Sequence, residues 1–187
     1  MQQVKRSPRP QYEYYFNRYG KDTLDTVIEW TKLVLPELSD LSVSADPHSG
    51  KYLVFVSVGG PERPLRLSLQ ALSDGTIKWL AFVSMIVVQG GSYSVEEPEN
   101  FLHPKMQQSL VDLIRMNLEE RNSSEYYIIS THSETLINQV TPSELILFSF
   151  SDGLTSCKRV RRPEHIEAEI NRTRFGLGHY YASNAVS

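Results

Sequence analysis

Tyr93-Ser94-Val95-Glu96-Glu97-Pro98-Glu99-Asn100-Phe101-Leu102-His103-Pro104 reads as a short strand that ends in consecutive carboxylates and then turns under proline control. Loops beyond the carboxyl end of a strand form the ligand crevice of open α/β sheets, so acids at that place are candidates for chemistry. Adjacent strand residues point to opposite faces, and Glu96 and Glu97 are therefore expected to do separate jobs. One can hold a cation while the other faces a nucleophilic water. Taken alone, Glu-Glu-Pro reads first as a solvated acidic turn. Two further stretches, one on each side, turn the reading toward chemistry.

Upstream lies Leu72-Ser73-Asp74-Gly75-Thr76, where an alternating strand pattern gives way to a helix expected from about Thr76 to Val88. Ser73 and Asp74 can cap that helix, and Gly75 lets another backbone approach its amino end. Free N–H groups and the positive dipole end make a natural anion site, although a plain cap would account for the same residues. Downstream lies Ile128-Ile129-Ser130-Thr131-His132-Ser133, a strand expected to be buried over Tyr126 to Ser130, with Ser133 as cap of a helix from Glu134 to Gln139. Between the two strands, Leu102, Met106, Leu110, Ile114 and Leu118 recur at steps of four, which predicts a helix from Pro104 to about Asn122 with a core-facing stripe. Strand, helix, strand is the parallel crossover pattern. Both strands then deliver their last residues to one edge, so Glu97 and His132 are expected within range of each other.

In this order the three stretches resemble the signature motif, the Walker B segment with D-loop, and the switch histidine of ABC-type ATPase heads, in the SMC-like, RecF-like and OLD-like branch. The resemblance spans roughly residues 65 to 150 and implies an α/β, P-loop NTPase-like fold. The expected piece is the C-terminal lobe of such a head, with mostly parallel central strands, flanking helices and an antiparallel hairpin segment. It implies ATP and Mg²⁺ as ligands. Glu96 stands at the Walker B acid position, usually aspartate, which supports Mg²⁺ through bound water; Glu97 matches the catalytic glutamate that orients or deprotonates the attacking water; His132 matches the switch histidine on the γ-phosphate side. Ser73 and Gly75 match the signature residues that contact the γ-phosphate bound to an opposite protomer, with Asp74 where transporters usually carry glycine. Asp74 is expected to point away from a phosphate or to cap the helix. Residues Glu99 to His103 match the D-loop, which in the family touches the other protomer; for His103 itself, packing at a helix amino end is the expected role.

The totals suit this reading without demanding it. With 187 residues, 40% hydrophobic and 22% charged, the chain is an ordinary globular sequence able to bury one good core. A formal charge of -3 gives no global reason to bind nucleic acid or a membrane surface. The single cysteine, Cys157, cannot form an internal disulfide, which fits a reducing compartment. The longest apolar run, Trp79 to Val88, is broken by Ser84 and falls short of the roughly eighteen residues a spanning helix needs. With a polar start carrying Lys5, Arg6 and Arg9, the expectation is a cytoplasmic protein without a membrane partner.

Along the remainder, residues 1–19 read as an irregular lead-in and 20–187 as the half-head. A helix is expected from Asp22 or Thr23 to near Pro36, then strands at Leu41 to Ser44, Tyr52 to Val58 and Leu65 to Leu69, the last two joined at Gly59-Gly60-Pro61. Gly90-Gly91 and Asn122-Ser123-Ser124 read as breaks. Ser151-Asp152-Gly153 marks a hairpin between Glu144 to Phe150 and Leu154 to Val160, and Pro163 to Arg172 a helix; the segment from Phe175 to Tyr181 suggests no chemistry.

Absent from these residues is Gly-x-x-x-x-Gly-Lys-Ser/Thr, the nest and lysine that hold β- and γ-phosphates; Gly20-Lys21-Asp22 and Gly50-Lys51-Tyr52 lack its partners. The expected partner is therefore a Walker A-bearing lobe of the same or another chain, with a homodimer of heads and DNA reached only through parts outside this sequence. The alternative is a catalytically inactive homologue that keeps the fold for protein association. A metal-dependent nuclease using Glu96, Glu97 and Glu99 is a weaker third reading, which Pro98 and Thr131-His132-Ser133 fit poorly.

Overall fold

The computed structural model describes residues 23–60, 62–88, 91–121, 124–183 and 185–186. The expected lead-in at 1–19, the Asp22 cap, Pro61, Gly90 and Asn122-Ser123 lie outside the described residues. By its own contacts the chain divides into two compact units, the first running to Ser94 and resuming over Asn100–Ile128, the second comprising Val95–Glu99 and Ile129–Ser187.

In the first unit, helix α1 (23–32) buries Val27, Ile28 and Thr31. The Thr31 hydroxyl donates to the Val27 carbonyl at 2.7 Å, so its burial leaves no polar group unsatisfied. Strands β1 (Leu38–Ala45), β2 (Tyr52–Val58) and β3 (Leu65–Ser68) form an antiparallel meander in that order. Leu38 and Leu41 are both buried although three residues apart, because the register slips between Leu38 and Asp40; the irregularity restores the inward face that strict alternation would have lost. Val54 and Val56 of β2 bury the same face.

A 3-10 turn, Leu69–Ala71, leads to α2 (Asp74–Val88), in which Trp79, Leu80, Val83 and Ile86 are fully buried. Helix α3 (Pro104–Arg121) packs against it. Leu102, Met106, Leu110 and Ile114 are buried as their spacing implies, and Val111 and Leu113 join them. At about 1.5 to 3 kcal/mol for each fully buried apolar side chain, this pair of helices supplies much of the unit's stability.

Among the described residues, strands β4 (Tyr93–Glu96) and β5 (Tyr127–Ser130) pair only with each other. Tyr93 N–H donates to the Tyr126 carbonyl at 3.0 Å and Glu97 N–H to the Ser130 carbonyl at 2.9 Å, so the register advances in the same sense on both strands and the pair is parallel. The parallel portion is thus two strands rather than the mostly parallel set expected. The other two sheets are antiparallel, because their connections are too short for a crossover. Nor is β5 buried as expected. Both strands alternate half-buried with exposed residues, and Ile128 is 53% exposed, the pattern of a sheet with one covered face.

The second unit continues with α4 (Glu134–Ile137), shorter than expected, and a 3-10 turn, Pro142–Glu144, closed by a capping box in which Thr141 N–H donates to Glu144 at 2.7 Å. Strands β6 (Ile146–Ser151) and β7 (Leu154–Arg159) form the expected hairpin. Asp152 and Gly153 both adopt positive φ, 51° and 78°, the two-residue turn whose twist matches paired strands. Helix α5 (Pro163–Thr173) and helix α6 (Leu177–Ala182) close the unit around Ile137, Val160, Ile166, Leu177 and Val186. No helix among the described residues is long and apolar enough to cross a membrane.

Candidate functional site

The acidic doublet sits where the sequence places it, but with one change of geometry. Glu96 is the last residue of β4 and its side chain is exposed. Glu97 lies just past the strand at φ 43°, so the alternation argument stops at Glu96: a left-handed residue, and not the pleat, aims the second carboxylate. Such a conformation at a non-glycine residue costs on the order of 1 kcal/mol or more and persists where surrounding bonds impose it. Here the bond from Glu97 N–H to the Ser130 carbonyl ties the turn to the end of β5.

His132 follows two residues after Ser130 and is tied back in the opposite direction. Glu99 Oε1 accepts the Thr131 hydroxyl at 2.6 Å and the His132 N–H at 3.0 Å. Thr131 Oγ1 accepts the Ser133 N–H at 2.9 Å, and Ser133 Oγ accepts the Leu136 N–H at 3.4 Å, capping α4 as expected. Burial pushes the Glu99 carboxyl up, but the Thr131 hydroxyl together with the nearby N–H groups of Glu99, His132 and Ser133 outweighs it and holds the group below the ordinary glutamate value. Glu97 and His132 are therefore joined through two short links in the second unit, Glu97 to Ser130 and Glu99 to His132.

Within the stretch that resembles the D-loop, Glu99 Oε1 is committed to the His132 loop of its own chain. Sequence spacing offers no signal for this, since the partners are 32 and 33 positions apart and meet only through the β4/β5 register. Nor does sequence spacing signal Tyr181. Its hydroxyl lies 3.4 Å from His132 Nδ1, brought there by α6, whose Gly178 N–H donates to Asn138 Oδ1 at 2.7 Å. A Cβ at Gly178 would stand 2.8 Å from Glu134 atoms, so the glycine lets α6 lie directly on α4.

Ser73 and Gly75 belong to the first unit. Ser73 Oγ accepts the Thr76 N–H at 3.2 Å and shares a 2.9 Å bond with the Thr76 hydroxyl, a capping arrangement at the start of α2. Asp74 opens the helix itself, two residues earlier than expected, and is exposed. Gly75 permits the close approach foreseen for it, and the approaching group is the Phe101 carbonyl, 2.5 Å from where a Cβ would stand. Lys78 Nζ donates to the neighbouring Asn100 carbonyl at 2.8 Å. These contacts seat the loop after the acidic doublet on the first turns of α2, while the Phe101 side chain, at φ 70°, stays exposed. His103 Nδ1 accepts the Lys105 N–H at 3.3 Å, the helix-end role expected for it.

No group of three or more His, Cys, Asp and Glu side chains among the described residues could by itself enclose a metal ion. Mg²⁺ does not require such an enclosure: it keeps several waters and is commonly held by one or two carboxylates with substrate phosphates. An exposed Glu96 at a strand end fits that mode.

Among protein families, residues 15–138 match the profile described as "AAA domain, putative AbiEii toxin, Type IV TA system". No curated protein matches the chain. Among solved structures, the fold is similar to one from work on ATP-driven dimerization and DNA-stimulated activation of SMC ATPases, with TM-score 0.60 and 16% identity over 82% of this chain and 91% of that one. It is also similar to an Smc head bound to the C-winged helix domain of ScpA, with TM-score 0.63 and 17% identity over 88% of this chain and 54% of the other. A third is the Smc head with coiled coil and joint from Pyrococcus yayanosii, with TM-score 0.58 and 16% identity over 80% of this chain and 29% of the other. At these identities the likeness is one of fold, and this chain spans only about half and under a third of the latter two.

Proposed function

The chain belongs to the AAA-domain family whose profile it matches over residues 15–138, and on that premise we propose that it forms the C-terminal half of an ATP-hydrolysing head. The observation that carries the reading is the parallel β4/β5 pair, which leads to Glu97 just beyond one strand and to His132 beyond the other, the two loops bonded to each other. In this reading Glu97 holds and deprotonates the water that attacks the terminal phosphoryl group of ATP. His132 donates toward the γ-phosphate, and Glu96 would hold Mg²⁺. When bound, that ion would neutralise charge on the β- and γ-phosphates.

Ser73 and Gly75 serve a second protomer: the amino end of α2 presents N–H groups to a phosphate held there, with Asp74 exposed and in the first helical turn. The phosphate loop comes from a Walker A-bearing lobe of the same or another chain, and nucleotide closes a homodimer of heads. The output is ATP-driven opening and closing, put to use in DNA repair, chromosome handling or phage defence through parts beyond this sequence.

The test is Glu97→Gln in the protein complete with its Walker A lobe. Hydrolysis should fall at least about a hundredfold, in line with loss of a general base, while ATP-dependent association measured by light scattering persists. Unchanged turnover would rule out the water-orienting role. A complete wild-type protein that never hydrolyses ATP would favour the protein-association module.

A further inference from the structure

We infer that Glu99 is a positioning residue, the anchor that holds the His132 loop in register with the Glu97 turn. What that register is for rests on the ATPase reading above; that Glu99 sets it does not.

Three observations converge. Glu99 Oε1 takes two donors from consecutive residues, the Thr131 hydroxyl and the His132 N–H, at 2.6 and 3.0 Å. Rotating the Thr131–His132 peptide would break its bond to the carboxylate, so the pair fixes the peptide's orientation and with it the direction in which the imidazole leaves the backbone. Hydrogen bonds to an ionised acceptor are shorter and roughly twice as strong as neutral ones, which suits an anchor better than an amide. Next, the arm between the two functional loops is short and stiff. Pro98 is fully buried and locks its own φ, so the left-handed Glu97 and the anchoring Glu99 flank a single rigid residue. Finally, Glu99 Oε2 is shielded from water and finds no hydrogen-bond donor among the described residues. A buried acceptor without a donor is costly, and a carboxylate spent only on surface solvation would not be placed there. The network then runs on from Thr131 through Ser133 to the cap of α4, so one anion organises the residues on both sides of His132.

The experiment compares Glu99→Ala and Glu99→Gln with wild type in the full protein, with amide hydrogen exchange as the first readout and turnover as the second. In Glu99→Ala the His132 and Ser133 amides should exchange at least about tenfold faster, corresponding to loss of a charge-assisted bond, while α2 and α3 keep their protection. Glu99→Gln retains an acceptor of the same reach and should recover most of that protection. In the complete ATPase, kcat should fall in Glu99→Ala by more than KM rises, since His132 is one γ-phosphate contact while the phosphate loop lies elsewhere, and Glu99→Gln should restore part of kcat. Unaltered exchange at His132 in Glu99→Ala overturns the inference whatever the activity does. A wild-type protein without ATPase would defeat the functional reading while leaving the exchange comparison to decide the anchor.

Discussion

Gly75→Ala sets two opposing effects against each other inside one helix. Alanine in a helix is favoured over glycine by about 0.8 to 1.0 kcal/mol, so propensity alone predicts a more stable protein. Against it stands the Phe101 carbonyl, 2.5 Å from the new Cβ, with the carbonyl carbon at 3.6 Å. That oxygen is backbone and has little freedom to yield. Phe101 already sits at φ 70°, and the preceding Asn100 carbonyl is held by Lys78 at 2.8 Å. Forcing a methyl into such a site typically costs about 1 to 3 kcal/mol, more than the propensity gain over most of that range. The net expectation is a destabilisation of about 1 kcal/mol, or a Tm lower by about 2 to 4 °C for a chain of this size. Gly60→Ala is the control, since nothing among the described residues stands within 4 Å of a Cβ there. Urea unfolding of both variants gives the comparison. A Gly75→Ala protein more stable than wild type would show that the loop gives way freely and that the close approach does not require glycine.

Two further expectations follow from particular side chains. The Glu99 carboxyl is depressed below its ordinary value of 4.5, so its contribution to stability is fully present above about that pH and is lost as pH falls through the lower folded-state value. Asp46, through the Ser49 hydroxyl, and Glu169, through Arg172, shift the same way, so the Glu99 share is read from the wild-type minus Glu99→Gln difference in unfolding free energy. That difference should shrink below pH 4.5, and one that stays constant down to pH 2 would contradict the assignment. Asn138→Ala removes the acceptor of the Gly178 N–H and should cost about 1 kcal/mol, with faster exchange confined to α6. Protection of α6 equal to wild type would mean that packing on α4 suffices without this bond.

What could be read from the residues alone is whatever short-range chemistry dictates. Ser73 and Ser133 cap the helices that follow them, and Asp152-Gly153 turns a hairpin, because those side chains act on their own neighbours. The step-of-four stripe found the buried face of α3, and the strand, helix, strand order implied the parallel pair that brings the two loops together. Other features required the fold. Glu97 leaves the strand in a left-handed turn that no local pattern announces, and Glu99 finds Thr131 and His132 only because β4 and β5 align. Tyr181 reaches His132 across 49 residues through the seating of α6. Ile128 is exposed because a pair of strands has one covered face, which an apolar sequence cannot reveal. Capping and periodicity act within a turn or two of chain, whereas these pairings depend on where separate elements come to rest.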